Sequence, residues 1–174
     1  DTISIGTGAN GNNTVTGGLG ADSVTLTGTG KNNITGDGGN DTITGGGTGA
    51  NTISGGIGDD SINLSAAGKV NISGGDGTDT ITLAGTANVT VNGNAGTDII
   101  TVGSGADSLN GGADNDTITL AVDSLTSDDV IGGDLGTDTL AFNAEGAALL
   151  DADFGQVTSV ETITATYALT GNES

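Results

Sequence analysis

Residues 55–63 read GGIGDDSIN and residues 74–82 read GGDGTDTIT, and this nine-residue pattern decides the fold. A glycine-rich turn ends in aspartate, and an aliphatic residue follows two positions later. The turn occurs seven times, at steps of 19, 19, 19, 19, 18 and 22 residues, and its closing aspartates are Asp22, Asp41, Asp60, Asp79, Asp98, Asp116 and Asp138. The aliphatic residues that follow are Val24, Ile43, Ile62, Ile81, Ile100, Ile118 and Leu140. Such self-similarity indicates a solenoid of stacked repeats.

A second, weaker series of aliphatic residues lies between the aspartate turns. Its members keep nearly the same step and are Ile34, Ile53, Ile72, Val91 and Leu109. Around both series small polar residues alternate with aliphatic ones, which is typical of a strand with one buried face. Each repeat therefore predicts two short strands joined by two turns. Because one such coil is too thin to bury its own aliphatic residues, the coils must stack.

These features predict an all-β fold, a right-handed parallel β-roll (a β-solenoid) of about seven 19-residue coils over residues 1–142. The roll has two sheets and two edges of turns, and one edge collects all the aspartate turns. Residues 143–174 lack the repeat, and we expect them to cap the apolar end of the stack or to begin the next segment. We also expect a short turn of helix at 147–152. The predicted cap core is Leu149, Leu150, Phe154, Val157 and Val160.

The composition limits the chemistry that this chain can perform. It has no cysteine and no histidine, which excludes disulfides, thiolate-bound zinc and the commonest general base. Its 22 acidic and 2 basic residues give a formal net charge of −20, which disfavours nucleic acid as a partner. No apolar run is long enough for membrane insertion. The donors left for a metal are carboxylate, amide and carbonyl oxygens, and this set favours calcium.

The aspartate edge also needs a cation for electrostatic reasons. Stacking places Asp41, Asp60 and Asp79 above one another at the strand separation of about 4.8 Å. Their carboxylates repel each other, and the few aliphatic residues of a coil bury too little surface to offset the entropy cost of ordering the chain as well. A divalent cation between successive turns removes the repulsion, and its binding free energy then stabilises the fold.

The pattern GGxGxDxUx, in which U is a large aliphatic residue, resembles the nonapeptide of the RTX (repeats-in-toxin) calcium-binding β-rolls. Residues 55–63 and 74–82 match it fully, and the resemblance covers roughly residues 1–142. It implies several calcium ions, each bound between consecutive turns of one edge by aspartate carboxylates and glycine carbonyls. The implied ligands are Asp22, Asp41, Asp60, Asp79, Asp98, Asp116 and Asp138, with the carbonyls of Gly18, Gly20, Gly39, Gly56, Gly58, Gly75, Gly77 and Gly96.

Some turns depart from the RTX pattern. Asp37 and Asn94 replace the second glycine and Asp114 replaces the fourth, so we expect weaker or differently shaped sites there. The last turn, GGDLGTD at 132–138, carries one extra residue, and we expect Leu135 to lengthen it.

The second edge of turns is poor in acids. Asn32, Asn51 and Asn88 lie near the aspartate position, and Asp107 is the only acid in the corresponding turns. Two interpretations remain open, namely weak calcium sites at Asn51 and Asp107, or hydrogen-bonded asparagine ladders. The ladders are favoured, and we expect calcium to line one edge.

The end of the array, GGDLGTDTL followed by FGQVTSVETI, looks like the RTX-type proteins of bacterial surface layers (S-layers). Abundant Thr, Ala, Gly and Asn with almost no Lys fits the same group. The resemblance implies a structural segment of a secreted protein at the extracellular cell surface, which folds and rigidifies on extracellular calcium. The partners that follow are calcium, further copies in a surface lattice and cell-surface polysaccharide.

An adhesin or ice-binding solenoid is a competing interpretation. It rests on outward-facing threonine pairs, although threonine is common on exposed strands and Asn63 and Ile99 interrupt the rows. The pairs are Thr42/Thr44, Thr80/Thr82 and Thr117/Thr119.

An enzymatic role is the third interpretation. The chain can be the RTX tail of an exported enzyme or toxin whose catalytic domain lies outside it. Within the chain, Asp59/Asp60 and Asp128/Asp129 resemble acid–base pairs, but the turns account for these acids and the chain has no Arg or His to assist them. We therefore expect no catalytic residue here and no enzyme activity.

Overall fold

The computed structural model describes residues 1–6, 11–65, 68–120, 124–143 and 151–165. In these ranges the chain winds through about eight turns of a solenoid built from two parallel sheets. No helix in them is both long and apolar enough to cross a membrane.

The two sheets take alternate strands of the chain. The first sheet contains β1 (Thr2–Ile5), β3 (Ser23–Leu26), β5 (Thr42–Gly45), β7 (Ser61–Ser65), β9 (Thr80–Ala84), β11 (Ile99–Val102), β13 (Thr117–Leu120), β15 (Thr139–Phe142) and β17 (Thr162–Ala165). The second contains β2 (Asn13–Leu19), β4 (Asn32–Gly38), β6 (Asn51–Ile57), β8 (Val70–Asp76), β10 (Val89–Ala95), β12 (Ser108–Ala113), β14 (Val130–Leu135) and β16 (Val157–Thr158). Each strand therefore pairs with the equivalent strand of the next coil.

The register of the sheets follows the sequence period. Ile43 pairs with Ile62, and Ile62 pairs with Ile81 in the first sheet. In the second sheet Ile34 pairs with Ile53. The predicted all-β parallel β-roll is confirmed, with about eight coils instead of about seven.

The core is a set of aliphatic columns between the two sheets. Ile43, Ile62, Ile81 and Ile100 are each 0% exposed. Because the side chains of a strand alternate between its two faces, the residues between these positions point outward and are mostly Thr, Ser or Asn. The alternation places each turn aspartate, two residues before a core aliphatic, on the inward side as well.

The strand pairing continues past residue 142. β16 pairs with β14 and β17 pairs with β15, so both sheets extend into the region that the sequence assigns to a cap. The division into a roll at 1–142 and a cap at 143–174 stays a prediction, but the sheets themselves have no break there.

Two phenylalanines pack together near the C-terminal end of the core. The rings of Phe142 and Phe154 meet edge to face with centroids 6.5 Å apart. Val157 and Val160 are partly buried against the core, as expected of cap residues. A 3-10 helix spans Asp151–Phe154, at the end of the range where a helical turn was expected. The predicted cap residues Leu149 and Leu150 and the first part of that turn, 147–150, lie outside the described residues.

Candidate metal centre

The seven predicted aspartates form one buried column along an edge of the roll. They occupy equivalent positions in successive coils and are at most 5% exposed. The backbone N–H of Asp41 donates to Asp60 Oδ1 at 2.7 Å, and that of Asp60 donates to Asp79 Oδ1 at 2.8 Å. The same bond links the other neighbours in the column. One carboxylate oxygen of each aspartate thus holds the preceding coil in register.

The second carboxylate oxygen has no such partner. In the described part of the chain, Oδ2 is buried without any hydrogen bond at Asp22, Asp41, Asp60, Asp79, Asp98, Asp116 and Asp138. A buried anionic oxygen without a partner is strongly unfavourable, since it has lost its hydration. Each of these oxygens therefore requires a cation or a proton.

The first glycine of each turn lines the space beside this oxygen. A methyl group on Gly17 would lie 2.5 Å from Asp22 Oδ2 and 2.7 Å from the carbonyl oxygen of Gly36 in the next coil. The two oxygens are thus no farther apart than about twice a calcium–oxygen distance, which is about 2.3–2.6 Å. A side chain at this position would fill the gap between them.

The same arrangement recurs in the following coils. A methyl group on Gly36, Gly55, Gly74 or Gly93 would collide with the aspartate Oδ2 of its own turn and with the first-glycine carbonyl of the next. These first-glycine carbonyls are candidate ligands that were not among those expected from the sequence. The signal that could have found them is a glycine at the first position of all seven turns.

Several of the predicted glycine carbonyls face the next turn. The Gly20 carbonyl oxygen lies 2.7 Å from where a Cβ on Gly39 would be, and that of Gly39 lies 2.6 Å from the same point at Gly58. The carbonyls of Gly56, Gly58 and Gly77 make the equivalent approach to the next coil. Each gap between turns is therefore lined by oxygens from both coils. The ligand role of these glycines, and of Gly18, Gly75 and Gly96, stays a prediction.

Where asparagine or aspartate replaces a glycine of the motif, it adopts the positive φ angle that the glycine has in the other turns. The φ angles of Asp37, Asn94 and Asp114 are 82°, 80° and 77°, in the left-handed region that these two residue types tolerate better than other non-glycine residues. The turns with substituted glycines therefore keep the turn conformation.

The expectation that Leu135 lengthens the last turn is wrong. Leu135 pairs with Ala113, and Asp134 pairs with Gly112, so the turn runs from 133 to 138 with the usual six residues. The extra glycine, Gly132, lies within β14. Asp134 has a φ of 78° and occupies the second-glycine position.

Burial and the charges of nearby aspartates raise the pKa values of five carboxyl groups in the column. Desolvation is the main cause, followed among the raising effects by charged aspartates of neighbouring coils, and the backbone hydrogen bond opposes it. The pKa of Asp60 is raised to about 6, that of Asp98 to about 7 and that of Asp116 to about 6. The pKa values of Asp41 and Asp79 are also raised. Without a metal, the raised pKa values favour protonation of these carboxyl groups at a higher pH than is usual for aspartate.

The model for the RTX calcium-binding nonapeptide repeat (4 copies) matches residues 7–25, 26–47, 46–67, 66–89 and 92–121, which is more than half of the chain. The chain belongs to this RTX family. No curated protein and no solved structure matches it. RTX repeats bind calcium, and the oxygen donors of the aspartate column fit that ion.

Backbone oxygens are essential to any RTX site in this roll. No group of three or more His, Cys, Asp or Glu side chains in the described ranges is placed to hold a metal by itself. Calcium commonly completes its six to eight ligands with carbonyl oxygens, and the gaps between the RTX turns supply them.

The other edge of the RTX roll carries an asparagine ladder over its first coils. Asn13 Nδ2 donates to Asn32 Oδ1 at 2.8 Å, and Asn32 Nδ2 donates to Asn51 Oδ1 at 2.9 Å. This confirms the favoured interpretation for these coils. The placement of Asn88 in the same column is wrong, because Val89 occupies that position, pairing with Val70.

Two aspartates continue this second column. Asp107 Oδ1 accepts from the Val89 N–H at 3.0 Å, and Asp129 Oδ1 accepts from the Asp107 N–H at 2.7 Å. Asp129 Oδ2 accepts from the Thr126 N–H at 2.7 Å. Burial raises the pKa of Asp107, with the charge of Asp129 as a further cause. Asp129 was missed as a column member because its turn has no RTX pattern.

Proposed function

We propose that this chain is a calcium-rigidified structural section of an exported RTX protein of the bacterial cell surface, and specifically of a surface layer. The proposal rests on the aspartate column, in which seven buried Oδ2 atoms have no hydrogen bond among the described residues. An enzyme site would require a few distinctive residues in one place, whereas this chemistry repeats in every coil. Repetition of one cation site along a rod suits a stiffening role.

Calcium would act as the switch that folds the roll. The net charge of −20 opposes compaction, and the buried column concentrates part of it. Binding free energy becomes folding free energy because the sites exist only between stacked coils. The chain would therefore leave the cell unfolded, where calcium is scarce, and fold outside.

The acid pairs are better explained by turn structure than by catalysis. Asp59 Oδ1 accepts from the Thr78 N–H at 2.9 Å, and the Asp59 N–H donates to Asn40 Oδ1 at 3.0 Å. These bonds join adjacent turns. Asp129 likewise accepts from Asp107 of the neighbouring coil and from Thr126 within its own turn. We propose on this basis that no residue of the chain is catalytic.

An adhesive or ice-binding face is the second candidate. Thr25 Oγ1 and Thr44 Oγ1 lie 3.4 Å apart on the outer face of the first sheet, within a row aligned by the strand register. The row also contains Asn63, and Ile99 is exposed in the adjacent row. Thermal hysteresis of the calcium-loaded protein would support this candidate, and its absence would remove ice binding.

The decisive experiment is a circular dichroism titration of chelated protein with calcium, with magnesium as the control ion. We expect a disordered spectrum without calcium and a β spectrum at millimolar calcium, with magnesium much less effective because it demands a regular octahedral site. Electron microscopy of the calcium-loaded protein then tests for ordered two-dimensional lattices. A fully folded roll after exhaustive chelation would contradict the calcium switch, and calcium-loaded protein that stays monomeric would contradict the surface-layer role.

A further inference from the structure

The aspartate column does not end at the last aspartate. The Asp138 N–H donates to Glu161 Oε2 at 2.9 Å, which repeats the bond that each earlier aspartate makes to the next coil. The Thr162 N–H donates to the Asp138 carbonyl at 3.0 Å, as the Thr139 N–H does to Asp116 at 2.8 Å. Glu161 therefore takes the column position of the coil after Asp138, although no RTX turn precedes it in the sequence.

The space between these two coils has the same lining as the earlier ones. Asp138 is 1% exposed, and its Oδ2 has no hydrogen-bond partner among the described residues. A methyl group on Gly133 would collide both with this oxygen and with the carbonyl oxygen of Ser159, and would lie closer to both than the one on Gly17 does to its two oxygens. Ser159 thus presents its carbonyl where the first glycine of an RTX turn would.

The chain reaches this arrangement through a much shorter turn. Only Val160 separates Ser159 from Glu161, whereas four residues separate Gly133 from Asp138. Ser159 adopts a φ of 52°, which helps to reverse the chain within this short corner. The glutamate side chain is one methylene longer than aspartate, and this length lets its carboxylate reach the column from the shorter turn.

We propose that Asp138, Ser159 and Glu161 form an additional calcium site at the C-terminal end of the aspartate column. The inference rests on the proposed calcium-binding function and extends it beyond the last RTX motif. The donors are the free Oδ2 of Asp138, the carbonyl of Ser159 and the carboxylate of Glu161, all oxygens of the kind that calcium prefers. The seven unpartnered aspartate oxygens then correspond to seven ions, one more than the six gaps between the seven RTX turns.

This site differs from the others in its exposure. Glu161 is exposed, unlike the buried aspartates, and the short turn brings fewer carbonyls to the ion. Water must complete the coordination, so the ion binds more weakly than those between two RTX turns. The site fills last as calcium rises and empties first as calcium is removed.

The test compares Glu161→Gln with the wild-type chain. Glutamine keeps an oxygen that accepts the Asp138 N–H but removes the charge, so a purely structural role of Glu161 leaves calcium binding unchanged. Asp128→Asn is the matched control, because it removes one exposed charge from the coil that contains β14. Bound calcium is counted by native mass spectrometry and by isothermal titration, with circular dichroism at saturating calcium as the folding check.

We expect Glu161→Gln to bind one ion fewer than the wild type and Asp128→Asn at calcium concentrations that saturate both. The lost ion should be the weakest one in the wild-type titration. Equal ion number and affinity in all three proteins overturns the terminal site and leaves the proposed function intact. A wild-type chain that binds no calcium overturns the proposed function itself.

Discussion

The backbone N–H of Asp60 donates a hydrogen bond of 2.8 Å to Oδ1 of Asp79 in the next coil. Asp79 is 0% exposed, and its other oxygen has no partner among the described residues. The two oxygens of this carboxylate thus have different roles. One fixes the register of the coils, and the other is available to bind a cation. A variant that affects only one of the two roles can separate register from metal binding.

Asp79→Asn is expected to weaken calcium-induced folding while it preserves the register. Asparagine keeps an oxygen acceptor for the Asp60 N–H but loses the negative charge, so the calcium midpoint in circular dichroism should rise. The double variant Asp60→Ala/Asp79→Ala should raise it further, because it also removes two hydrogen bonds. The matched control is Asp76→Asn, an exposed aspartate of the same coil. An unchanged midpoint for Asp79→Asn would falsify the assigned edge.

Gly55→Ala is expected to block one gap between turns. The added methyl group would collide with Asp60 Oδ2 and lie 2.6 Å from the Gly74 carbonyl oxygen. We expect the loss of one bound ion and a destabilisation of about 1–3 kcal/mol in calcium, which is the usual cost of overpacking. Gly38→Ala is the control, since its methyl group would meet only the end of the Leu19 side chain, at 3.3 Å. Chemical denaturation in saturating calcium measures both variants, and equal stabilities would count against the gap as a site.

The calcium-free roll is expected to be more stable at acidic than at alkaline pH. The pKa of Asp98 rises from 3.8 to about 7, and those of Asp60 and Asp116 rise to about 6. The folded chain therefore binds more protons than the unfolded chain between about pH 4 and 7, so its stability falls as pH rises through that window. In chelator, circular dichroism should report more β structure at pH 4.5 than at pH 8. A chelated protein that gains structure towards pH 8 would contradict the buried charge column.

Asp107→Asn is expected to leave the number of bound calcium ions unchanged. Asparagine still accepts the Val89 N–H, and the second edge has apolar Val70 and Val89 in the same column. Removing a buried charge should also make the calcium-loaded form more resistant to denaturant. Native mass spectrometry counts the ions. Loss of an ion in this variant would show that the second edge binds calcium at Asp107 after all.

The period and the aspartate column could be predicted from the sequence because both follow from local rules. The 19-residue step sets the register, and an aspartate two positions before a core isoleucine must point to the same side of the strand. The same rule corrects the prediction that Asn88 belongs to the column on the second edge. Val89 lies two residues before the inward Val91, so Val89 and not Asn88 belongs in the column.

The remaining features depend on backbone directions that residue types do not determine. The approach of the Gly36 carbonyl to Asp22 Oδ2 is visible only once the coils are stacked. The two glycines 132 and 133 offer two alignments of the last turn, and only the pairing of Leu135 with Ala113 selects one. Glu161 precedes Ile163 by two residues, as each aspartate precedes its aliphatic residue, but no glycine-rich turn precedes it, so the motif did not include it.

The constant register between neighbouring coils makes the length of the roll proportional to its number of repeats. Because Ile43, Ile62 and Ile81 meet one another through the same pairing, a whole repeat could be inserted or deleted without altering any other interface. Each addition would lengthen the rod by the strand separation of about 4.8 Å and would bring its own cation gap. The distance that such a segment spans between its two ends is therefore set by counting repeats, and evolution can adjust it in fixed increments.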